Sequence, residues 1–527
     1  MTTLQLRDHR FLGMTQSLCP QCLKVVPAKI ISRKGRIYFR KHCPQHGMRD
    51  DFVCSDERLF DRMEYSLPGR VPPRFAIEPR LGCPYDCGLC TEHEQHTCVA
   101  VLEITSSCNL TCPLCYAASG PGGKHVPFEE CCRAIDQLVK YEGRPEILQL
   151  SGGEPTVHCD FEKIFDYACC QPIDIVMINT NGVRLAKDAR LRDTLARHRH
   201  RCEVYLQFDG FDDDVNRSLR GEALLDVKQR AIELLADVGV NVTLVCTVDT
   251  SNLNQLGRMV QFGMERPGIT GISFQPATYV GRYQQPESLE QRVTFPDVIR
   301  AIVEQTDETW QENDFLPLPC AHPNAHSLAY AYRDGGKSVS LARLIDIDNH
   351  LDLLANGITF NRQRARDLIS KFLSRQACGT GQDCGCGPVS ISPRVQQHSP
   401  GPSSMILPIA DQLAANHSCS SPDSAKGDDA VADTRELAKA FFARAMTENL
   451  SPADMFRITT TSFMDAYNFD LRQLMKSCVH HLLPSGHLIP FCAYNVLYRD
   501  GHVPLPPLAD HACASTDRVK DQSVILA

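Results

Sequence analysis

Short apolar runs at 101–105, 147–150, 173–178, 203–208, 240–248 and 269–274 are each bounded by turn residues, the pattern of strands buried on both faces of a parallel sheet. Between them the apolar spacing changes to that of helices. Pro127 stands where a first-turn proline opens a helix, followed by Ile135, Leu138 and Val139 at helical spacing. A second helical stretch runs from about Leu224 to Val238 and stops at Gly239, a residue suited to ending helices. Strands alternating with helices predict a parallel sheet with right-handed crossovers. The expected fold class is therefore α/β, with six strand and helix units.

Cysteine adds chemistry to that pattern. The chain has 26 cysteines, and eleven of them fall between Cys19 and Cys115. Within that stretch Cys-x3-Cys-x2-Cys occurs twice, at Cys83, Cys87, Cys90 and at Cys108, Cys112, Cys115. The repetition points to iron-sulfur clusters, whose usual ligands are thiolates. Cys98 follows the first triplet and can complete a four-thiolate 4Fe-4S centre, whereas the second triplet has no further cysteine until Cys131. Three ligands leave one iron open, and an open position separates a reactive metal site from a closed one. Zinc is the alternative for either triplet alone. Upstream, Cys19-Pro20-Gln21-Cys22 and Cys43-Pro44-Gln45-His46 are two knuckles of like shape, with Cys54 beyond them. Paired knuckles hold one tetrahedral ion, zinc or iron, here on Cys19, Cys22, Cys43 and either His46 or Cys54. A nucleic-acid-binding ribbon is the competing account, and the net charge of −8 argues against a phosphate backbone as main partner.

The segment Cys108-Asn109-Leu110-Thr111-Cys112-Pro113-Leu114-Cys115 resembles the cluster loop of the radical S-adenosylmethionine (radical SAM) enzymes. That family usually has an aromatic residue just before the last cysteine; here Leu114 precedes it and Tyr116 follows. Ser151-Gly152-Gly153-Glu154-Pro155-Thr156, directly behind an apolar run, resembles the turn that holds the methionine amino group in the same family. Two glycines permit close backbone approach to a ligand, and a carboxylate suits an ammonium. The resemblance implies a partial (β/α)6 barrel with an N-terminal metal-knuckle module and a C-terminal cluster-binding region. It also implies SAM chelated by the open iron, cleavage to a 5′-deoxyadenosyl radical, and hydrogen abstraction from an unactivated carbon. An electron donor such as a ferredoxin or flavodoxin goes with that chemistry. Function in such barrels gathers at C-terminal strand ends, where Asn179-Thr180-Asn181-Gly182 and Gln207-Phe208-Asp209-Gly210 stand. Asn181, Gln207 and Asp209 are the candidates for lining the adenosyl and substrate pocket, with ordinary turn chemistry as the other account.

Cys320, Cys478 and Cys492, with Phe463 to Asp470 and Cys492-Ala493-Tyr494-Asn495, resemble the subfamily of archaeal tetraether lipid synthase and a pterin methylase. That subfamily carries several clusters and a mononuclear metal. Two auxiliary 4Fe-4S clusters are therefore expected, at Cys83, Cys87, Cys90, Cys98 and at Cys320, Cys478, Cys492, the latter completed by His322, Cys378, Cys384 or Cys386. The expected division is a mononuclear metal module over 1–75, an auxiliary cluster loop over 76–100, the barrel over 101–330 and a C-terminal cluster region over 455–527. The span 331–454 has no assignment and contains a Pro-, Ser-, Gly- and Asp-rich flexible insertion at about 387–434. The leading functional reading is carbon-carbon bond formation on a lipid-like substrate. Radical methylation of a pterin-like small molecule is the alternative. A non-catalytic electron carrier or zinc-binding scaffold is the third, and it leaves Gly152, Gly153 and Glu154 idle. The polar start, Met1 to Arg10, and the lack of eighteen consecutive apolar residues predict neither signal peptide nor membrane span, with peripheral membrane contact still allowed. So many thiols without an export signal predict a reducing, cytoplasmic setting. Cys131, Cys132, Cys159, Cys169, Cys170, Cys202 and Cys246 read as core residues.

Overall fold

The computed structural model describes residues 7–307, 309–344, 351, 371, 427–447 and 449–509. Residues 10–54 form an antiparallel meander of β1 (Arg10–Leu18), β2 (Val25–Arg33), β3 (Arg36–Cys43) and β4 (Gly47–Cys54). Lys34 and Gly35 both take positive φ between β2 and β3, the backbone that a two-residue hairpin turn requires. This small sheet is tied to the far end of the chain. Lys41, buried with Asp51 at 3.0 Å, donates to the carbonyls of Leu18, Ala466 and Tyr467, and Thr15 Oγ1 donates to Asp470 at 2.6 Å.

The parallel core follows. β5 (Val99–Thr105), β6 (Ile147–Gly152), β7 (Ile175–Thr180), β8 (Cys202–Gln207), β9 (Asn241–Val248) and β10 (Ile269–Pro276) lie side by side in chain order, all parallel. The intervening helices pack their apolar faces onto this sheet to form the main core. One of them, Phe128–Glu142, begins behind Pro127, and another, Leu225–Asp237, stops ahead of Gly239 at φ 69°.

The sheet extends past these six strands. β11 (Leu316–Pro317), β12 (His326–Asp334) and β13 (Lys337–Ser340) form an antiparallel group, and β14 (Met455–Thr461) joins it to β10. At the opposite edge β15 (Val479–Leu482) runs parallel to β5, and β16 (Leu488–Pro490) pairs antiparallel with β15. The result is a mixed twelve-stranded sheet with a barrel-like parallel core. Sequence pattern alone missed β14 and β15, because Thr459-Thr460-Thr461 and His480-His481 break the apolar run that marks a buried strand. A helix, Gly427–Met446, occupies the end of the expected insertion, and its Phe441 and Phe442 pack with Tyr332 and Val339. The rest of that insertion, with Cys378, Cys384 and Cys386, lies outside the described residues. Cys159 and Cys170, expected in the core, are exposed. Among the described residues no helix is long and apolar enough to cross a membrane.

Candidate active site

The loop after β5 carries Cys108, Cys112 and Cys115 at the C-terminal end of the parallel strands. Leu110 and Leu224 bury it from below, with Cys112 between them. The loop is clamped by a residue that spacing gave no reason to single out. Arg282 exchanges backbone hydrogen bonds with Cys115, and its guanidinium donates to the carbonyls of Cys112 at 2.6 Å and Ser119 at 2.8 Å. Gly281, at φ 65°, allows this approach, since a Cβ there would collide with the carbonyls of Cys115 and Tyr116. Burial, with the nearby Glu154, Cys112 and Cys115, pushes the Cys108 thiol up to about 12.

The turn after β6 meets this loop backbone to backbone. Gly153 N–H donates to Thr105 O and Glu154 N–H to Ser107 O, at 2.8 and 2.9 Å. A Cβ on Gly152 would strike Thr105, and one on Gly153 would strike Ser107. The glycines thus serve the contact between turn and cluster loop as well as facing the cavity. Glu154 differs more from expectation. Its buried carboxylate accepts from Thr156 N and Oγ1, Thr180 Oγ1 and Asn181 N, at 3.2, 2.5, 2.7 and 2.8 Å. It is absent from the cavity lining, and these protein donors are its partners in the structure. Burial holds it above the usual carboxylate range against those hydrogen bonds.

A cavity of about 200 Å³ opens beside the three thiols, lined also by Gly152, Gly153, Asn181, Gln207 and Arg220. Asn181 is fixed by Asn109 at 2.7 Å and by donation from Val183 N–H. Gln207 Oε1 is buried without a partner, an acceptor left for a ligand donor. Asp209, expected on the lining, lies behind it. Its carboxylate takes both ends of the Arg220 guanidinium at 2.7 Å, and Arg220 is the residue that reaches the cavity. Burial raises the Asp209 pKa, but Arg220 outweighs it and holds the carboxyl below its ordinary value. Below them Lys228 donates to Gln207 O at 2.5 Å, and burial brings its pKa down to about 8. Nothing in spacing marks Arg220 or Lys228 beyond ordinary charged positions on helices. Three thiols, an open polar wall and an unpartnered acceptor fit a three-cysteine cluster with SAM beside it.

Nine of the other described thiols fall into three groups. Cys19, Cys22, Cys43 and His46 bring their ligand atoms within 4.8 Å of one another. Although burial opposes it, hydrogen bonds from Gln45 and His46 bring the Cys43 thiol down to about 6. Cys54 stands apart, donating to Asp56 O at 3.5 Å, and burial drives its thiol up to about 12. Cys54 is not among the four residues whose ligand atoms converge, so His46 is the fourth member of that group. Cys83, Cys87 and Cys90 face one another in the loop that Asp86 closes by accepting from the backbone of Arg80, Leu81 and Gly82. Cys98, expected with them, is elsewhere. Its thiol contacts those of Cys320 and Cys478, with His96 at 3.6 Å from Cys98 and His326 at 3.7 Å from Cys478. Cys98 and Cys478 immediately precede β5 and β15, so this group lies at the starting ends of the strands. Cys492 shares the surrounding buried cluster, its sulfur accepting from Met464 N–H at 3.1 Å.

Comparison with known proteins agrees with both metal regions. The profile described as the HMPTM N-terminal zinc ribbon domain matches residues 11–55, and that of the radical SAM superfamily matches 102–262. The 7,8-dihydro-6-hydroxymethylpterin dimethyltransferase of Methanocaldococcus jannaschii is 31% identical over 515 residues, covering 92% of this chain and 94% of its own. Mycofactocin maturase MftC of Mycolicibacterium smegmatis is 31% identical over 156 residues, 29% of this chain and 38% of its own. Among solved structures, Streptococcus suis SuiB aligns at a TM-score of 0.35 and 19% identity over 40% of this chain and 46% of that one. The chain belongs to the radical SAM superfamily, in the family of the Methanocaldococcus jannaschii pterin dimethyltransferase.

Proposed function

We propose that this enzyme adds methyl groups to carbon on a pterin-like heterocycle, using a 4Fe-4S cluster and SAM. The observation that carries the reading is similarity along nearly the whole length of a pterin dimethyltransferase, auxiliary regions included. It moves the expectation from a lipid to the alternative first set beside it, and it sets aside a non-catalytic scaffold. Cys108, Cys112 and Cys115 would hold the cluster. Gly152, Gly153, Asn181, Gln207 and Arg220 would face the bound SAM, while Glu154 and Asp209 fix Asn181 and Arg220 from behind. When bound, cluster and SAM together supply one-electron cleavage of the sulfonium and hydrogen abstraction from an unactivated carbon. The chain's own residues orient the partners and exclude water. Cys19, Cys22, Cys43 and His46 would hold a structural zinc or iron, and Cys83, Cys87 and Cys90, with Cys98, Cys320 and Cys478, would hold two auxiliary clusters.

One observation favours a hydrocarbon substrate: Val99, Val101, Ile147, Met177 and Val479 give the cavity apolar strand faces. Anaerobic reconstitution with iron and sulfide, reduction, and addition of SAM with 7,8-dihydro-6-hydroxymethylpterin separates the two readings. The expected products are 5′-deoxyadenosine and methionine from one SAM, S-adenosylhomocysteine from a second SAM acting as methyl donor, with the added reductant supplying the electrons, and a pterin heavier by one or two methyl groups in mass spectrometry. Formation of 5′-deoxyadenosine only when lipids replace the pterin would overturn the methylation reading.

A further inference from the structure

Phe463, Phe491 and Asn495 line the cavity and are not among the residues assigned above to cluster or SAM. Asn495 lies in a π-helical turn, Tyr494–Tyr498, closed by Arg499 N–H to Tyr494 O at 2.8 Å. Such turns reset the face a side chain occupies and recur at functional sites. The amide is locked. Nδ2 donates to Phe491 O at 2.9 Å and to His481 Nε2 at 3.2 Å, while Oδ1 accepts from Arg499 Nε at 2.8 Å. The opposite orientation would set Oδ1 against a carbonyl and Nδ2 against a guanidinium, so the assignment is forced. Arg499 is in turn held by both oxygens of Glu103, at 2.9 and 2.6 Å.

With both amide hydrogens used inside the protein, Asn495 can offer the cavity only an acceptor, the second lone pair of Oδ1. Beside it stands an aromatic stack. His481 lies against Phe491 at 4.8 Å and 15°, and Phe491 lies against Phe463 at 4.2 Å and 31°. We propose that this wall is the substrate subsite and takes a flat heterocycle that stacks against Phe463, at the end of that stack, and donates an N–H to Asn495. A pterin, planar with ring N–H and amino donors, fits that chemistry; a saturated hydrocarbon has nothing to donate. The choice of pterin rests on the function proposed above, whereas the requirement for a flat donor rests on the wall itself.

The test is binding without turnover. Fluorescent 6-hydroxymethylpterin and its N3-methyl analogue are titrated into the full-length protein and into Asn495→Leu. Wild type should bind the parent about tenfold or more tightly than the methylated form, and the variant should bind the two alike. Equal binding of both by wild type, which needs no mutation to observe, overturns the proposal; so does a variant that keeps the preference. If wild type ignores the pterin yet favours xanthine over N-methylxanthines through Asn495, the subsite stands and the pterin reading falls. If neither heterocycle binds and only long-chain hydrocarbons do, both fall.

Discussion

Four protein donors hold the Glu154 carboxylate behind the cavity wall. Glu154→Gln exchanges one acceptor oxygen for a donor among those groups and should cost about 1–3 kcal/mol of stability. Thermal melting checks this; loss of SAM affinity at unchanged stability would instead mark a direct ligand contact. The choice between His46 and Cys54 was open in sequence because spacing along a chain does not fix which of two side chains turns toward the other three ligands; the structure turns His46 there. His46→Ala should lose the bound ion, and Cys54→Ala should keep it, by metal analysis of the purified chains. The Cys43 thiol is lowered from 9.0 to about 6, so its contribution is complete above its ordinary value and lost as pH falls through about 6. A bound ion competes with the proton and lowers that midpoint further, so the chain should hold its ion at pH 8 and give it up to a chromogenic chelator only below about 6; release already at pH 8 would contradict ligation by Cys43.

At the scale of elements, strand order and the polar strand ends of the core followed from apolar runs and turn residues. Pairings between distant segments did not. Cys98 looks local to Cys90 in sequence, yet the start of β5 beside the start of β15 puts it with Cys478. The seven residues of β5 span roughly 23 Å at about 3.3 Å each, which separates this thiol group from the cluster loop at the other end of the strand. Cys98→Ala should therefore deplete the same iron as Cys478→Ala, and the double variant should lose no more than either single one. Iron and sulfide content with electron paramagnetic resonance reads this out. A Cys98→Ala that matches Cys87→Ala instead would return Cys98 to the first triplet.

Over the whole molecule, the N-terminal sheet bears on the segment 463–470 through Lys41 and Thr15, and Phe463 and Met464 at its start line the cavity. Removing the ion from Cys19, Cys22, Cys43 and His46 should thus raise amide exchange in 463–470 as well as in the meander; protection unchanged there would show the two regions to be independent. The sheet carries a different consequence. Its six central strands are complete once Pro276 is made, but both their outer edges are covered only by β14 and β15, from the last part of the chain. A bare edge is a template for pairing with other chains. At ~5–20 residues per second, the interval between making Thr105 and Val479 is roughly 20 to 75 s, during which the β5 edge has no native partner. Chains cut short before Met455 should accordingly collect in aggregates even though every residue of the six parallel strands is present. For this protein, solubility during synthesis is a property of the short stretch from Met455 to Leu482 more than of its core.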